Sequence, residues 1–277
     1  MKISAALILA VLTATAGCMN SLDEAIPAQK SDTGLLRAVT VNGRIFYYAE
    51  PLLPPPAGGY PVIIFFHGGD GYASDWIEVM GLPNAMTVIG LGRRYLVIAP
   101  ESGVSDKASG SVNDVMKRWD TAVDSKDIPF ILDIVAWLPR SGYLVNMRRI
   151  FGVGISSGGA MVSRLCQTVP WIFNRVVLVA TCNPNYSPYV SSSFTMRGNH
   201  PSAAFIHGTD DFMVPIGRMN EYYTALTSPI PFTQILPDCT FVAAGIKIKM
   251  KCEVIGGGHT WFGQYNTGIY DWCDSAP

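Results

Sequence analysis

Ser156, Asp211 and His259 are the residues whose types and order along the chain suit nucleophilic chemistry. A serine hydroxyl becomes a nucleophile when a histidine removes its proton, and the histidine needs an acid that holds its tautomer. The serine lies in Gly154-Ile155-Ser156-Ser157-Gly158, between an apolar run typical of a strand and a run typical of a helix. Glycines at such a strand-to-helix turn remove clashing side chains and leave the hydroxyl exposed.

The candidate acid and base each follow a predicted strand. Residues 203–206 read as a buried strand that runs into a loop with Asp210 and Asp211, and either carboxylate suits the role. His259 follows a run of three glycines after a second short apolar run. The chain order Ser, Asp, His is that of α/β-hydrolases and differs from the orders in chymotrypsin and subtilisin.

The loop His67-Gly68-Gly69-Asp70-Gly71 follows an early apolar run, residues 61–66. A glycine turn in this place can aim backbone N–H groups at a developing oxyanion. We therefore predict an oxyanion hole formed by the N–H near Gly69 and by that of Ser157, the residue after the nucleophile.

Around these residues the chain resembles the polyhydroxybutyrate-depolymerase-like esterases, which include feruloyl and acetylxylan esterases. The resemblance covers roughly residues 37–265 and rests on segments 146–161, 207–215 and 256–261. It implies that Ser156 is the nucleophile, Asp211 the acid and His259 the base, and the spacing to Val214-Pro215 favours Asp211 over Asp210. One departure concerns the oxyanion loop, because Gly69 stands where many relatives have cysteine.

Each of these residues also has a structural interpretation. Ser156 could be an ordinary helix N-cap, and His259 could be a loop histidine with a structural hydrogen bond. We interpret His67 and His207 as structural residues that close turns after strands, and His200 as a plain loop residue.

Apolar runs that alternate with helix-like stretches predict a parallel sheet with helices on both faces. The expected fold is α/β, an α/β-hydrolase with a mostly parallel central sheet and no large lid. Asn42-Gly43 predicts an initial hairpin. The apolar runs lie near residues 62–66, 95–99, 149–153, 176–180 and 203–206, and the helix-like stretches near 75–92, 127–138, 157–168 and 215–226.

Composition limits the function classes. The chain has 277 residues, with 20 basic and 21 acidic residues and a net charge of −1, which argues against a nucleic-acid partner. The Cys and His spacing fits no zinc site, so we expect neither a metal nor a cofactor. We predict a serine carboxylic-ester hydrolase that forms an acyl-enzyme on soluble feruloyl, acetyl or short hydroxyalkanoate esters. The alternatives are a serine peptidase on the same fold and a non-catalytic surface-binding lipoprotein.

Three tryptophans are candidates for the substrate site. Trp76, Trp119 and Trp261 could line an aromatic acyl pocket, although aromatic residues at such junctions also serve as packing. The partner would be a small-molecule or oligosaccharide ester.

The N-terminal region predicts export. Residues 1–18 resemble a bacterial lipoprotein signal with Cys18 as the lipidated residue, and residues 19–35 form a polar tether before a catalytic domain at 36–277. The competing interpretation is a simple secretory signal that is cut after Ala16. The protein would be a membrane-anchored lipoprotein or secreted or periplasmic, with any membrane contact made only through the anchor.

A disulfide between Cys239 and Cys252 follows from turn arithmetic. A two-residue hairpin turn at Gly245-Ile246 sets these cysteines directly opposite each other in a non-hydrogen-bonded pair, within disulfide range. The same register puts the lysines at 247, 249 and 251 on the other face, as expected for an exposed strand that discourages edge pairing. Cys166 and Cys182 should not pair, because we expect them at opposite edges of the sheet.

Overall fold

The computed structural model of the protein describes residues 36–73, 86–106, 115–184, 199–226, 230–231, 239–244 and 247–276. Cys18 with the whole predicted signal and tether, Trp76 and the predicted turn at Gly245-Ile246 lie outside these ranges. Among the described residues, no helix combines the length and the apolar character that crossing a bilayer requires.

Ten of the described strands form one sheet, and its centre is parallel as predicted. The strands are β1 (Leu36–Val41), β2 (Arg44–Ala49), β3 (Tyr60–Phe66), β4 (Leu96–Pro100), β5 (Val104–Asp106), β6 (Val115–Lys117), β7 (Val145–Ile155), β8 (Arg175–Val179), β9 (Ser202–Gly208), β10 (Ile230–Pro231), β11 (Cys239–Ala244) and β12 (Lys247–Val254). The order is β1-β2-β4-β3-β7-β8-β9-β12-β11-β10, and β5 and β6 form a separate ribbon. All neighbouring pairs from β4 through β12 are parallel, and the strands at both edges are antiparallel.

The described helices follow the strands in alternation, as the apolar pattern predicts. They are α1 (Met86–Gly92), α2 (Asp127–Trp137), α3 (Ser157–Thr168), α4 (Ile216–Ala225) and α5 (Asn266–Asp274), with short 3₁₀ turns at Leu138–Arg140, Pro170–Ile172 and Gly263–Tyr265. The bounds of α2, α3 and α4 agree with the predicted stretches to within one residue.

The sequence of β3 is apolar without alternation because both faces of this strand are buried. Val62, Ile64 and Phe66 belong to the hydrophobic core on one face of the sheet, whereas Ile63 and Phe65 belong to the core on the other face. A parallel strand covered by helices on both faces has no exposed side. The sheet is therefore the rigid layer whose carboxyl edge carries the loops with the candidate residues.

The predicted register of the C-terminal hairpin is confirmed, and one expectation drawn from it is wrong. Cys239 lies directly opposite Cys252, and the disulfide itself stays a prediction. Strand β12 is not an exposed edge, because it lies between β9 and β11. The ammonium of Lys249 donates to the carbonyls of Tyr223 and Leu226 at 2.8 and 2.6 Å, so this lysine binds the end of α4.

Cys166 and Cys182 are buried and belong to no disulfide among the residues that the structure describes. The prediction that they lie at opposite edges of the sheet is wrong. Ser163, one turn before Cys166 on α3, donates its hydroxyl to the carbonyl of Cys182 at 3.2 Å. Cys182 therefore lies beside α3, about one helical turn from Cys166, and not at the opposite edge of the sheet.

Candidate active site

Ser156 occupies the tight turn between β7 and α3. Its φ of 52° and ψ of −120° lie in a region that residues other than glycine rarely adopt. The turn is possible because glycines lie two residues before and two residues after Ser156: a Cβ on Gly158 would lie 2.1 Å from the carbonyl oxygen of Phe66. Ser156 precedes the helix, but its side chain makes no capping hydrogen bond. The hydroxyl is therefore not used as an N-cap.

Asp211 and His259 form a hydrogen-bonded row with Ser156. The Nε2 atom of His259 lies 2.9 Å from Oγ of Ser156, and its Nδ1 atom lies 2.8 Å from Oδ2 of Asp211. Asp211 is 4% exposed, and its Oδ1 accepts the N–H groups of Met213 and Val214 at 3.0 and 2.8 Å. These bonds fix the carboxylate against the imidazole.

Asp210, the competing acid, has a different environment. It is exposed, and its carboxylate accepts the Thr209 hydroxyl at 2.9 Å. Its backbone N–H donates to the carbonyl of Gly257 at 2.9 Å, which ties the acid loop to the histidine loop. The loops approach so closely that a Cβ on Gly208 would lie 2.1 Å from that same carbonyl oxygen. The structure therefore brings Asp211, and not Asp210, to His259.

His207 contacts the same carboxylate oxygen of Asp211 as His259 does. Its Nε2–H donates to the carbonyl of Val214 at 2.7 Å and lies 3.2 Å from Oδ2 of Asp211. The side chain is fully buried, and this burial lowers the pKa of His207. A neutral ring therefore supports the acid loop. The sequence indicated a turn-closing histidine here but gave no sign of the contact with Asp211.

The predicted oxyanion-hole residues lie on the two segments that flank the nucleophile. A Cβ on Gly68 would lie 3.7 Å from the Cβ of Ser156, which places the loop after β3 beside the turn. Ser157 is the first residue of α3, and the first N–H groups of a helix have no partner within the helix. A Cβ on Gly69 would meet nothing within 4 Å. The cysteine of many relatives would therefore fit at this position.

The two remaining histidines are structural. His67 accepts the N–H of Ser102 on Nε2 at 3.1 Å, so Nδ1 carries the proton and donates to the carbonyl of Gly68 at 2.7 Å. His200 is not a plain loop residue, because it is buried and its Nε2 lies 2.7 Å from the hydroxyl of Tyr222. The sequence missed this contact, since nothing near residue 200 indicates burial.

A cleft of about 360 Å³ lies beside the nucleophile turn. It is lined by four polar residues, Arg118, Asp120, Thr121 and Ser157, and by Trp119, Ala122 and Ala160. Of the candidate aromatic residues, Trp119 is 3% exposed, and half-buried Trp261 donates its indole N–H to Asn266 at 2.8 Å. Within the ranges that the structure covers, no three His, Cys, Asp or Glu side chains are grouped so that they could hold a metal ion.

Comparison with known proteins gives two sequence relatives and many solved structures. The chain is 27% identical over 258 residues to a poly(3-hydroxyoctanoate) depolymerase of Pseudomonas fluorescens, covering 89% of this chain and 83% of that protein. Acetyl xylan esterase from Aspergillus awamori superposes with a TM-score of 0.62 at 16% identity, covering 92% of this chain and 99% of the other. Acetyl xylan esterase from Paenibacillus sp. R4 superposes with a TM-score of 0.56 at 13% identity, covering 100% and 95%. No family model matches the chain.

Proposed function

We propose that this chain, which is a polyhydroxybutyrate-depolymerase-like serine esterase of the α/β-hydrolase fold, cleaves esters through Ser156, His259 and Asp211. The observation that carries the proposal is the row of hydrogen bonds at 2.9 and 2.8 Å that joins the three side chains. A nucleophile bonded to a base, which is bonded to an orienting acid, is the arrangement that serine catalysis requires.

Each residue has one task in the reaction. His259 accepts the hydroxyl proton on Nε2 while Oγ of Ser156 attacks the ester carbonyl carbon, and Asp211 holds the Nδ1–H tautomer and stabilises the imidazolium. The negative charge that develops on the carbonyl oxygen is held by the backbone N–H groups of Ser157 and Gly69. The proton passes from His259 to the departing alcohol oxygen as the C–O bond breaks. Water then attacks the acyl carbon while His259 takes its proton. The proton passes to Oγ of Ser156 as the acid product leaves.

The substrate we propose is a short, soluble ester that carries polar groups. The cleft beside Ser157 is lined by Arg118, Asp120 and Thr121, which suit hydroxyl or carboxyl groups better than a bare alkyl chain. Acetyl or feruloyl esters on oligosaccharides and short hydroxyalkanoates have such groups. The names of two similar proteins, both acetyl xylan esterases, agree with the acetyl esters in this range, whereas the name poly(3-hydroxyoctanoate) depolymerase points to a longer hydroxyalkanoate unit.

Labelling with a fluorophosphonate tests the nucleophile. The wild-type protein should take up one label on Ser156, identified by peptide mass spectrometry, and Ser156→Ala should fold, take up none and lose ester turnover. Ser141→Ala is the matched control, because its hydroxyl donates to a carbonyl in the turn after α2 and should leave labelling unchanged. A label on another serine would overturn the assignment.

A panel of acetyl, butyryl, hydroxycinnamoyl and 3-hydroxybutyryl esters tests the substrate range. We expect hydroxycinnamoyl or 3-hydroxybutyryl esters to have a higher kcat/KM than butyryl esters, because the butyryl chain offers no polar group to the cleft. A preference that rises steadily with alkyl length would contradict the proposed substrate. Inertness toward every ester together with no labelling would favour the non-catalytic surface-binding alternative.

We also propose that the protein is exported and anchored through Cys18. The sequence at Thr15-Ala16-Gly17-Cys18 supports lipidation, and two or more acyl chains suffice for stable anchoring. The wild-type protein should fractionate with membranes and incorporate labelled fatty acid, and Cys18→Ser should abolish the label. A soluble mature protein without fatty acid would reject anchoring and leave simple secretion.

A further inference from the structure

Trp119 contacts both chain segments that carry the proposed oxyanion-hole donors. Its backbone N–H donates to the hydroxyl oxygen of Ser157 at 3.1 Å, at the start of α3. Its indole N–H donates to the carbonyl of His67 at 3.0 Å, at the end of β3. One residue therefore spans the two segments with two hydrogen bonds, and its side chain is 3% exposed.

The indole also packs on the segment that it binds. Its ring lies 5.1 Å from the ring of Phe66 and 5.2 Å from that of His67. Because His67 donates from Nδ1 to the carbonyl of Gly68 at 2.7 Å, the position of its ring is linked to the peptide that precedes Gly69. A shift of the indole would therefore be passed to the glycine loop.

Trp119 lies on a part of the chain that is itself held firmly. The next residue, Asp120, donates its backbone N–H to the buried carboxylate of Asp127 at 2.7 Å. That carboxylate pairs with Arg44 of β2 at 2.5 Å. The tryptophan is thus anchored to α2 and to the sheet, which is what a residue needs in order to fix the position of others.

We propose that Trp119 is a positioning residue that sets the spacing between the two oxyanion-hole donors, an inference that rests on the proposed function. Donors stabilise an oxyanion only at hydrogen-bond distance from the place where its charge develops. The two segments already touch, since a Cβ on Gly158 would lie 2.1 Å from the carbonyl oxygen of Phe66. Trp119 lies at the cleft and holds the two segments together through its hydrogen bonds. Its side chain does not touch the reacting atoms.

Trp119→Phe tests the proposal, because phenylalanine keeps an aromatic ring but loses the indole donor and part of the ring volume. We expect kcat for a good ester to fall by about 10- to 100-fold with KM changed by less than about twofold, since a misplacement near 1 Å can cost about 100-fold. Affinity for a trifluoromethyl ketone should fall in parallel, because its tetrahedral adduct with Ser156 places an oxyanion in the hole. Trp137→Phe is the matched control and should change neither value, as its ring packs on Phe46 and Tyr48 away from the site.

A second variant decides the matter even if Trp119→Phe does not fold. Ser157→Ala removes the acceptor of the Trp119 backbone N–H and keeps the backbone donor of residue 157, so kcat should fall by about 3- to 10-fold with KM unchanged. Full kcat and full ketone affinity in this variant or in Trp119→Phe would overturn the inference, as would a rise in KM alone, which would make Trp119 a substrate contact. Failure of the proposed function looks different, because the wild-type protein itself would then show no turnover and no label on Ser156.

Discussion

His207→Gln should remove one source of acid sensitivity from the folded protein and leave the acid loop in place. The His207 ring is fully buried, Nε2–H donates to the carbonyl of Val214 at 2.7 Å, and Nδ1 has no hydrogen-bond partner among the residues that the structure describes. The amide N–H of glutamine reaches the same carbonyl but binds no proton near neutral pH. The substitution therefore separates titration from packing.

The lowered pKa of His207 determines how the free energy of unfolding changes with pH. Burial lowers the pKa of His207 below its ordinary value of 6.5, although the Val214 carbonyl and the Asp211 charge act in the opposite direction. Above pH 6.5 the ring is neutral in both the folded and the unfolded chain and adds no pH dependence. Between 6.5 and the lowered pKa only the unfolded chain binds the proton, so the free energy of unfolding falls by up to about 1.4 kcal/mol per pH unit. His207→Gln should lack this component.

Urea unfolding followed by tryptophan fluorescence between pH 8 and pH 5 measures the difference. The wild-type protein should lose stability faster than His207→Gln as the pH falls below 6.5. His207→Ala is the control for packing: it should show the same reduced pH dependence as the glutamine variant, but with about 1–3 kcal/mol lower stability at every pH, because the Val214 carbonyl loses its donor. Equal pH slopes in all three proteins would refute a neutral, buried His207.

Three further predictions concern the acid, the nucleophile turn and the hairpin. Asp211→Asn should lower kcat by up to about 10⁴-fold through loss of the correct tautomer of His259, whereas Asp210→Asn, at an exposed position, should change kcat only slightly. The reverse order of the two effects in steady-state assays would assign the acid role to Asp210. Gly158→Ala should destabilise the fold by about 1–3 kcal/mol in urea unfolding, because its Cβ would lie 2.1 Å from a carbonyl oxygen of β3, and unchanged stability would contradict this contact. Non-reducing peptide mapping of exported protein should recover Cys239 linked to Cys252, a bond worth roughly 3 kcal/mol, and separate alkylated peptides would exclude it.

The sequence was sufficient to predict the sheet and the contact between Ser156, His259 and Asp211, because both depend on residue types. A strand buried on both faces must be apolar throughout, as in residues 62–66, and its helices must follow within a short distance along the chain. The nucleophile turn needs glycine where backbone approaches backbone, and Gly158 meets that need. Ser156 and His259 could therefore be predicted although 103 residues separate them.

The surroundings of a strand were harder to predict than its register. The alternating lysines in β12 correctly indicate which residues share a face, but they do not mark an exposed edge of the sheet. In the fold, Lys249 binds the last carbonyls of α4, and burial lowers the pKa of its ammonium. Alternation reports the two faces of a strand, whereas what covers each face depends on elements that are distant in sequence.

The contacts of Trp119 could not be predicted for a more general reason. Its indole N–H donates to a backbone carbonyl, and every residue has such an acceptor. The residue type at position 67 therefore gives no information about this hydrogen bond. His207 presents the same case, since its main partner is the carbonyl of Val214. A sequence motif identifies the groups that attack the substrate or transfer protons. The residues that set the distances between those groups bind the main chain, and for that reason they become visible only once the backbone is folded.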